Sequence, residues 1–149
     1  IIATGSSQGD DPMETRAPVY KSWLINGLIP FFGICAGHHL QGYIRDISLI
    51  RGEQSESGDL PVTVMVNDPI FKNICNINEE FIVKQQHNDS IPLPIGYICL
   101  CSTNRCINQM MKHETYKLNY SAQFHPEYFN MQLLYNFCEL VQQNIDMKL

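Results

Sequence analysis

Residues 30–40 read PFFGICAGHHL, an apolar run that passes straight into Gly-x-Cys-x-Gly. A strand with no polar face has to be covered on both sides, which is the habit of strands in a parallel α/β sheet. Gly33 and Gly37 flank Cys35, and from Ala36 to about Tyr43 the residues suit a short helix with Leu40 and Tyr43 on one side. Strand, tight turn and helix form the pattern of a nucleophile elbow, whose turn leaves no room for flanking side chains. A sulfur held there stands at a helix N-terminus, where the dipole and unsatisfied N–H groups favour a thiolate and can meet an oxyanion. The same glycines equally permit close strand–helix packing around a core cysteine. The stretch alone leaves both readings open.

The rest of the chain alternates in the same way. IIAT at the start reads as a buried strand ending at Gly5, followed by a polar loop through Pro12. In PVYKSWLINGL, residues 18–28, Val19, Trp23 and Leu24 are spaced like the buried face of a short helix that stops near Gly27. EQSESGD, residues 53–59, reads as a polar loop, and PVTVMV after it as an antiparallel strand. Asn67-Asp68-Pro69 is a turn leading into a short helix at IFKNIC. FIVKQQH, YICLCST, INQMM and YSAQF read as further strands. The last helix runs from about Met131 to Asn144, with Leu133, Leu134, Phe137, Cys138, Leu140 and Val141 on its apolar face. Strands and helices interleaved near the start, with antiparallel strands later, predict an α/β sheet carrying a small antiparallel β excursion.

Composition narrows the partners. The 149 residues are 44% hydrophobic and 17% charged, enough for one domain with an ordinary core. No stretch approaches the ~20 apolar residues of a membrane span. A net charge of −5 with dispersed basic residues gives no footprint for nucleic acid or anionic lipid. The six cysteines form no CxxC pair and mostly sit in apolar surroundings, so reduced thiols in a cytoplasmic protein are expected. Cys35, His38, His39 and His125 make a poor zinc set, because adjacent histidines on a helix point about 100° apart. No metal or cofactor is expected.

A cysteine nucleophile needs a base, and SAQFHPEYF, residues 121–129, offers one. An apolar strand leads to His125, and Pro126 fixes the backbone before Glu127. A carboxylate two residues on can hold the imidazole through one nitrogen while the other faces a thiol.

GICAGHH and QFHPE together resemble the two signatures of the class I glutamine amidotransferases. Three further segments resemble the family in its own order: IIATGSS, ESGDLPVTV, and QQHNDSIPLPIGYICLCSTNRCINQMM. The resemblance covers nearly the whole chain. It implies a single flavodoxin-like α/β domain over 1–149 that hydrolyses the side-chain amide of glutamine through a γ-glutamyl thioester. Cys35 would be the nucleophile, His125 the base and Glu127 its support. The backbone N–H of Ala36 and one from the Gly5–Ser6 loop would meet the oxyanion, with His87 and Gln123 near the substrate pocket. Two departures accompany the resemblance. The family usually has a substrate-holding glutamine where this chain has His39, and it has two more strands and a helix before the segment resembled by IIATGSS. The sheet is therefore expected to be N-terminally incomplete, with an unpaired edge. Three functions follow: a glutaminase that feeds ammonia to a synthetase partner, a free-standing γ-glutamyl hydrolase, and a non-catalytic binding or regulatory module.

Overall fold

The computed structural model describes residues 1–6 and 11–147 of the chain. The loop expected between Gly5 and Pro12 therefore falls largely outside the described residues. Ten elements follow in order. They are β1 (Ile2–Ala3), α1 (Asp11–Leu24), β2 (Phe31–Ile34), α2 (Ala36–Tyr43), β3 (Glu56–Val64), β4 (Glu80–His87), β5 (Tyr97–Ser102), β6 (Met110–His113), β7 (Asn119–Ala122) and α3 (Met131–Asp146). A 3-10 turn occupies Pro69–Phe71, and the Asp68 carboxylate caps it by accepting from the Ile70 N–H at 3.0 Å.

The strands lie in one sheet in the order β1-β2-β7-β6-β5-β3-β4. β1, β2 and β7 run parallel, and β6, β5, β3 and β4 continue the sheet with antiparallel pairings. The α/β arrangement is the one the apolar pattern predicts, and the antiparallel excursion is joined to the parallel strands through β6 and β7. Both predicted faces of β2 are used. Phe32 and Ile34 pack with Tyr120, Phe124, Leu133 and Phe137 under α3, whereas Phe31 packs with Ala17, Leu24, Leu40 and Ile44 under α1 and α2. All four β2 residues are buried, so this strand carries both layers of the core.

Tyr120 shows how a polar atom survives in that core. Its hydroxyl donates to Asp68 Oδ1 at 3.0 Å, and Lys112 Nζ donates to Asp68 Oδ2 at 2.8 Å. Burial, reinforced by the Asp68 charge, pushes the phenol's pKa up, so it remains a donor. Asn136 on α3 donates to the Ile70 and Lys72 carbonyls at 2.7 and 2.8 Å, which fastens the 3-10 turn to the helix.

Two local expectations are corrected. α1 starts at Asp11, so Pro18 lies inside the helix rather than at its start. The inward stripe is Met13, Ala17, Tyr20 and Leu24, and Val19 and Trp23 fall on the outward side at 59% and 50% exposure. Residues 56–59 are the first half of β3 rather than loop, pairing Glu56 with His87 and Asp59 with Lys84. That half reads as loop because the side chain it buries is a carboxylate, Glu56, where alternation would place an apolar residue. No described helix is long and apolar enough to cross a membrane.

Candidate active site

Cys35 joins β2 to α2 with φ 51° and ψ −104°, a backbone conformation that L-residues rarely adopt. Its N–H donates to the Ala122 carbonyl at 2.9 Å, and its carbonyl accepts from His38 and His39 as α2 begins. The flanking glycines are sterically required. A Cβ on Gly33 would stand 2.3 Å from the Gly37 carbonyl oxygen, and one on Gly37 would stand 2.2 Å from the Ala3 oxygen. Ala36 and Gly37 occupy the first helical positions, whose N–H groups have no partner within the helix. The elbow reading of the sequence thus has its geometry.

His125 follows β7, the strand paired with β2, and its N–H is anchored on the Lys84 carbonyl at 2.9 Å. Across the Pro126 turn, His125 Nδ1 lies 2.7 Å from Glu127 Oε1. A carboxylate only accepts, so Nδ1 carries the hydrogen, and Nε2 of the neutral ring has its lone pair available. Gly5 closes the arrangement from the β1 side. A Cβ there would lie 3.0 Å from His125 Cε1 and 3.5 Å from Cys35 Cβ, so the imidazole and the cysteine flank the same point. The ring of Tyr128 meets His125 edge-on, with centroids 6.0 Å apart.

A cavity of about 1110 Å³ opens over these groups. Gly5, Ser6, Cys35, Ala36, His39, His87, His125 and Glu127 all line it. Gln123 does not. It is fully buried behind His39, and its Oε1 lies 2.8 Å from His39 Nε2. His87 turns its Nδ1 to the Asp89 carbonyl at 3.1 Å. Residues that the sequence did not single out also line the cavity, among them Glu56, Arg51, Arg105 and Tyr128. Glu56 becomes recognisable only through its register partner His87. Arg51 is tied to Asp89 at 2.9 Å.

Burial pushes up the thiols of Cys99, Cys101 and Cys106, the last to about 12 with a further contribution from the Glu56 charge. Behind α2, His38 is fully buried, its Nδ1 2.8 Å from Ser121 Oγ. Burial, then the neighbouring His39 and His87, lowers its pKa well below the ordinary 6.5. His38 therefore stays neutral in the folded chain while the unfolded chain takes up the proton. Stability due to this group is complete above pH 6.5 and is lost as pH falls below it, by at most about 1.4 kcal/mol per pH unit. Thermal melts should show a midpoint that declines between pH 7 and 5, and His38→Asn in a folded variant should flatten that decline.

Residues 8–137 match the family model described as glutamine amidotransferase class-I. The chain belongs to this family. Among its curated relatives, a glutamine-hydrolyzing GMP synthase subunit of Methanocaldococcus jannaschii is 32% identical over 121 residues, covering 78% of this chain and 62% of that one. The protein of the same name from Methanococcus vannielii is 31% identical over 134 residues, covering 87% and 69%. The chain thus spans about two thirds of the length of these relatives. Among solved structures, a GMP synthase subunit from Thermoplasma acidophilum superposes with a TM-score of 0.86 at 24% identity over 99% of this chain and 74% of that one. A glutamine amidotransferase of Thermotoga maritima superposes with a TM-score of 0.69 at 21% identity, over 99% and 64%. In this class-I glutamine amidotransferase, the segments GICAGHH and QFHPE, distant in sequence, thus meet at one cavity.

Proposed function

We propose that the chain hydrolyses the side-chain amide of glutamine with Cys35, His125 and Glu127, and hands the ammonia to a synthetase partner. The observation that carries this reading is the 2.7 Å His125–Glu127 contact beside a cysteine held at a strained strand–helix elbow. His125 Nε2 takes the Cys35 proton, and Sγ adds to the amide carbon of glutamine. The N–H of Ala36 and one from the Gly5–Ser6 backbone receive the developing oxyanion. Collapse of the tetrahedral species breaks the C–N bond, and the proton held by His125 leaves with ammonia. Water, deprotonated by the same nitrogen, then cleaves the thioester to glutamate and restores the thiol. Glu127 keeps Nδ1 protonated throughout and stabilises the imidazolium.

The partner follows from likeness to the GMP synthase subunits of Methanocaldococcus and Methanococcus. A second enzyme reading rests on the cavity, which at about 1110 Å³ is much roomier than a free amino acid needs. It takes γ-glutamyl amides or peptides as substrates of the same triad. A non-catalytic module is disfavoured by the His125–Glu127 contact beside a cysteine at a strained elbow.

The test is a glutamine-analogue diazo-ketone, which should attach to Cys35 and to no other cysteine, read by peptide mass spectrometry. Labelling at other thiols, or none, sinks the hydrolase reading. Ammonia release from glutamine, compared with cleavage of γ-glutamyl peptides, separates the two substrate classes. His39→Gln is the companion measurement. The imidazole is committed to Gln123, whereas an amide at 39 offers substrate a donor and an acceptor. One such hydrogen bond is worth about 0.5–1.5 kcal/mol, so KM for glutamine should fall roughly two- to tenfold with little change in kcat. An unchanged or raised KM would detach His39 from substrate binding.

A further inference from the structure

We propose that Glu56, His87 and Cys106 form a site for a thiophilic divalent cation of the Zn²⁺ class, set in the inner wall of the active cavity. The three come from β3, β4 and the turn after β5, and their separation in sequence gives no metal-type spacing. The sheet brings them together. Glu56 and His87 are register partners across β3 and β4, and one ligand atom from each of the three residues lies within 4.8 Å of the other two. The side chains of Glu56 and His87 are 6% and 1% exposed, and Cys106 is fully buried.

The arrangement is short of a cation. His87 Nδ1 faces the Asp89 carbonyl, which only accepts, so Nδ1 carries the hydrogen and Nε2 of the neutral ring is a bare lone pair. That lone pair is buried, has no hydrogen-bond partner and points at Glu56 Oε2, another acceptor, 3.4 Å away. Two acceptors held at that distance, with a thiol beside them, match what a metal ion takes.

The outer contacts fit as well. Metal-binding histidines characteristically donate their second N–H to a carbonyl or carboxylate, as His87 does to Asp89. Thr103 Oγ1 steadies Glu56 by donating to Oε1 at 2.8 Å. Gln109 Nε2 also donates to Oε2, a contact the ion would share. Bonds of about 2.0–2.3 Å around a tetrahedral centre put ligands roughly 3.3–3.8 Å apart, so side-chain movements on the order of 1 Å close the site. Binding replaces the Cys106 thiol proton, which leaves to solvent. Three protein ligands leave a fourth position for water or another oxygen donor. The site does not depend on the hydrolysis proposed above.

Cobalt(II) titrated into the full chain under a non-thiol reductant reads this site directly, because thiolate ligation gives a charge-transfer band. One equivalent should raise that band together with tetrahedral d–d absorption, and Zn²⁺ should displace it. Cys106→Ser should abolish the band, Cys35→Ser should retain it, and His87→Gln should weaken binding at least tenfold. No band with the wild-type chain overturns the proposal, as does a band that survives Cys106→Ser or vanishes in Cys35→Ser. Should Cys106→Ser fail to fold by circular dichroism, a folded His87→Gln with undiminished affinity overturns it equally.

Discussion

Replacing Cys35 by alanine is expected to lower glutamine hydrolysis by roughly 10⁴-fold or more, and His125→Asn should cost about as much. The two act as one unit, so the loss in the double variant should barely exceed either single loss. Glu127→Gln keeps a hydrogen-bond acceptor 2.7 Å from Nδ1 but removes the charge that supports the imidazolium. A smaller fall, about 10²-fold, is expected there. Steady-state ammonia release and single-turnover thioester formation measure all four variants. The triad assignment is lost if Cys35→Ala retains more than about a tenth of the activity, or if the double variant shows the product of the two single losses.

Gly33→Ala and Gly37→Ala should each destabilise the fold by about 1–3 kcal/mol or more and depress activity beyond what the lost folded fraction explains. In both cases the added methyl meets main chain: the Gly37 oxygen at 2.3 Å in one, the Ala3 oxygen at 2.2 Å in the other. Backbone cannot rotate away as a side-chain tip can, so either β1 or the start of α2 must shift, and with it the Ala36 N–H. Gly42, later on the same helix, supplies the contrast. The nearest atoms to its added Cβ belong to the Ile91 side chain, with Cγ2 at 3.0 Å, and the helix gains about 1 kcal/mol of intrinsic preference. Gly42→Ala should therefore stay close to wild type in denaturant unfolding and in kcat. Equal penalties at all three positions would show that the glycines near Cys35 serve no closer approach than any other.

How far the sequence reveals this depends on whether a feature is local. The β2–Cys35–α2 turn is legible because its demands fall on five consecutive residues, and the His125–Glu127 pair because Pro126 confines it to three. The outward position of Val19 and Trp23 is hidden, since their spacing suits a buried face once the helix is started at Pro18 instead of Asp11. Glu56 is hidden for a different reason. Its burial beside His87 and Gln109 is created by the pairing of β3 with β4, and a carboxylate flanked by serines carries no apolar alternation. The His39–Gln123 contact likewise joins α2 to the end of β7, a relation that no spacing encodes.

The pairing of β2 with β7 has a bearing on how the molecule comes to be active. Phe31 lies beside Asn119 and Ile34 beside Ala122, so Cys35 and His125, the proposed nucleophile and base, become neighbours only when two remote stretches dock in parallel. Such a contact closes a long loop before it gains anything in return, which makes it slow relative to the hairpin-like union of β3 and β4. On refolding, secondary structure should recover before activity does. Regained ammonia release is thus a clock for the last long-range docking event rather than for collapse.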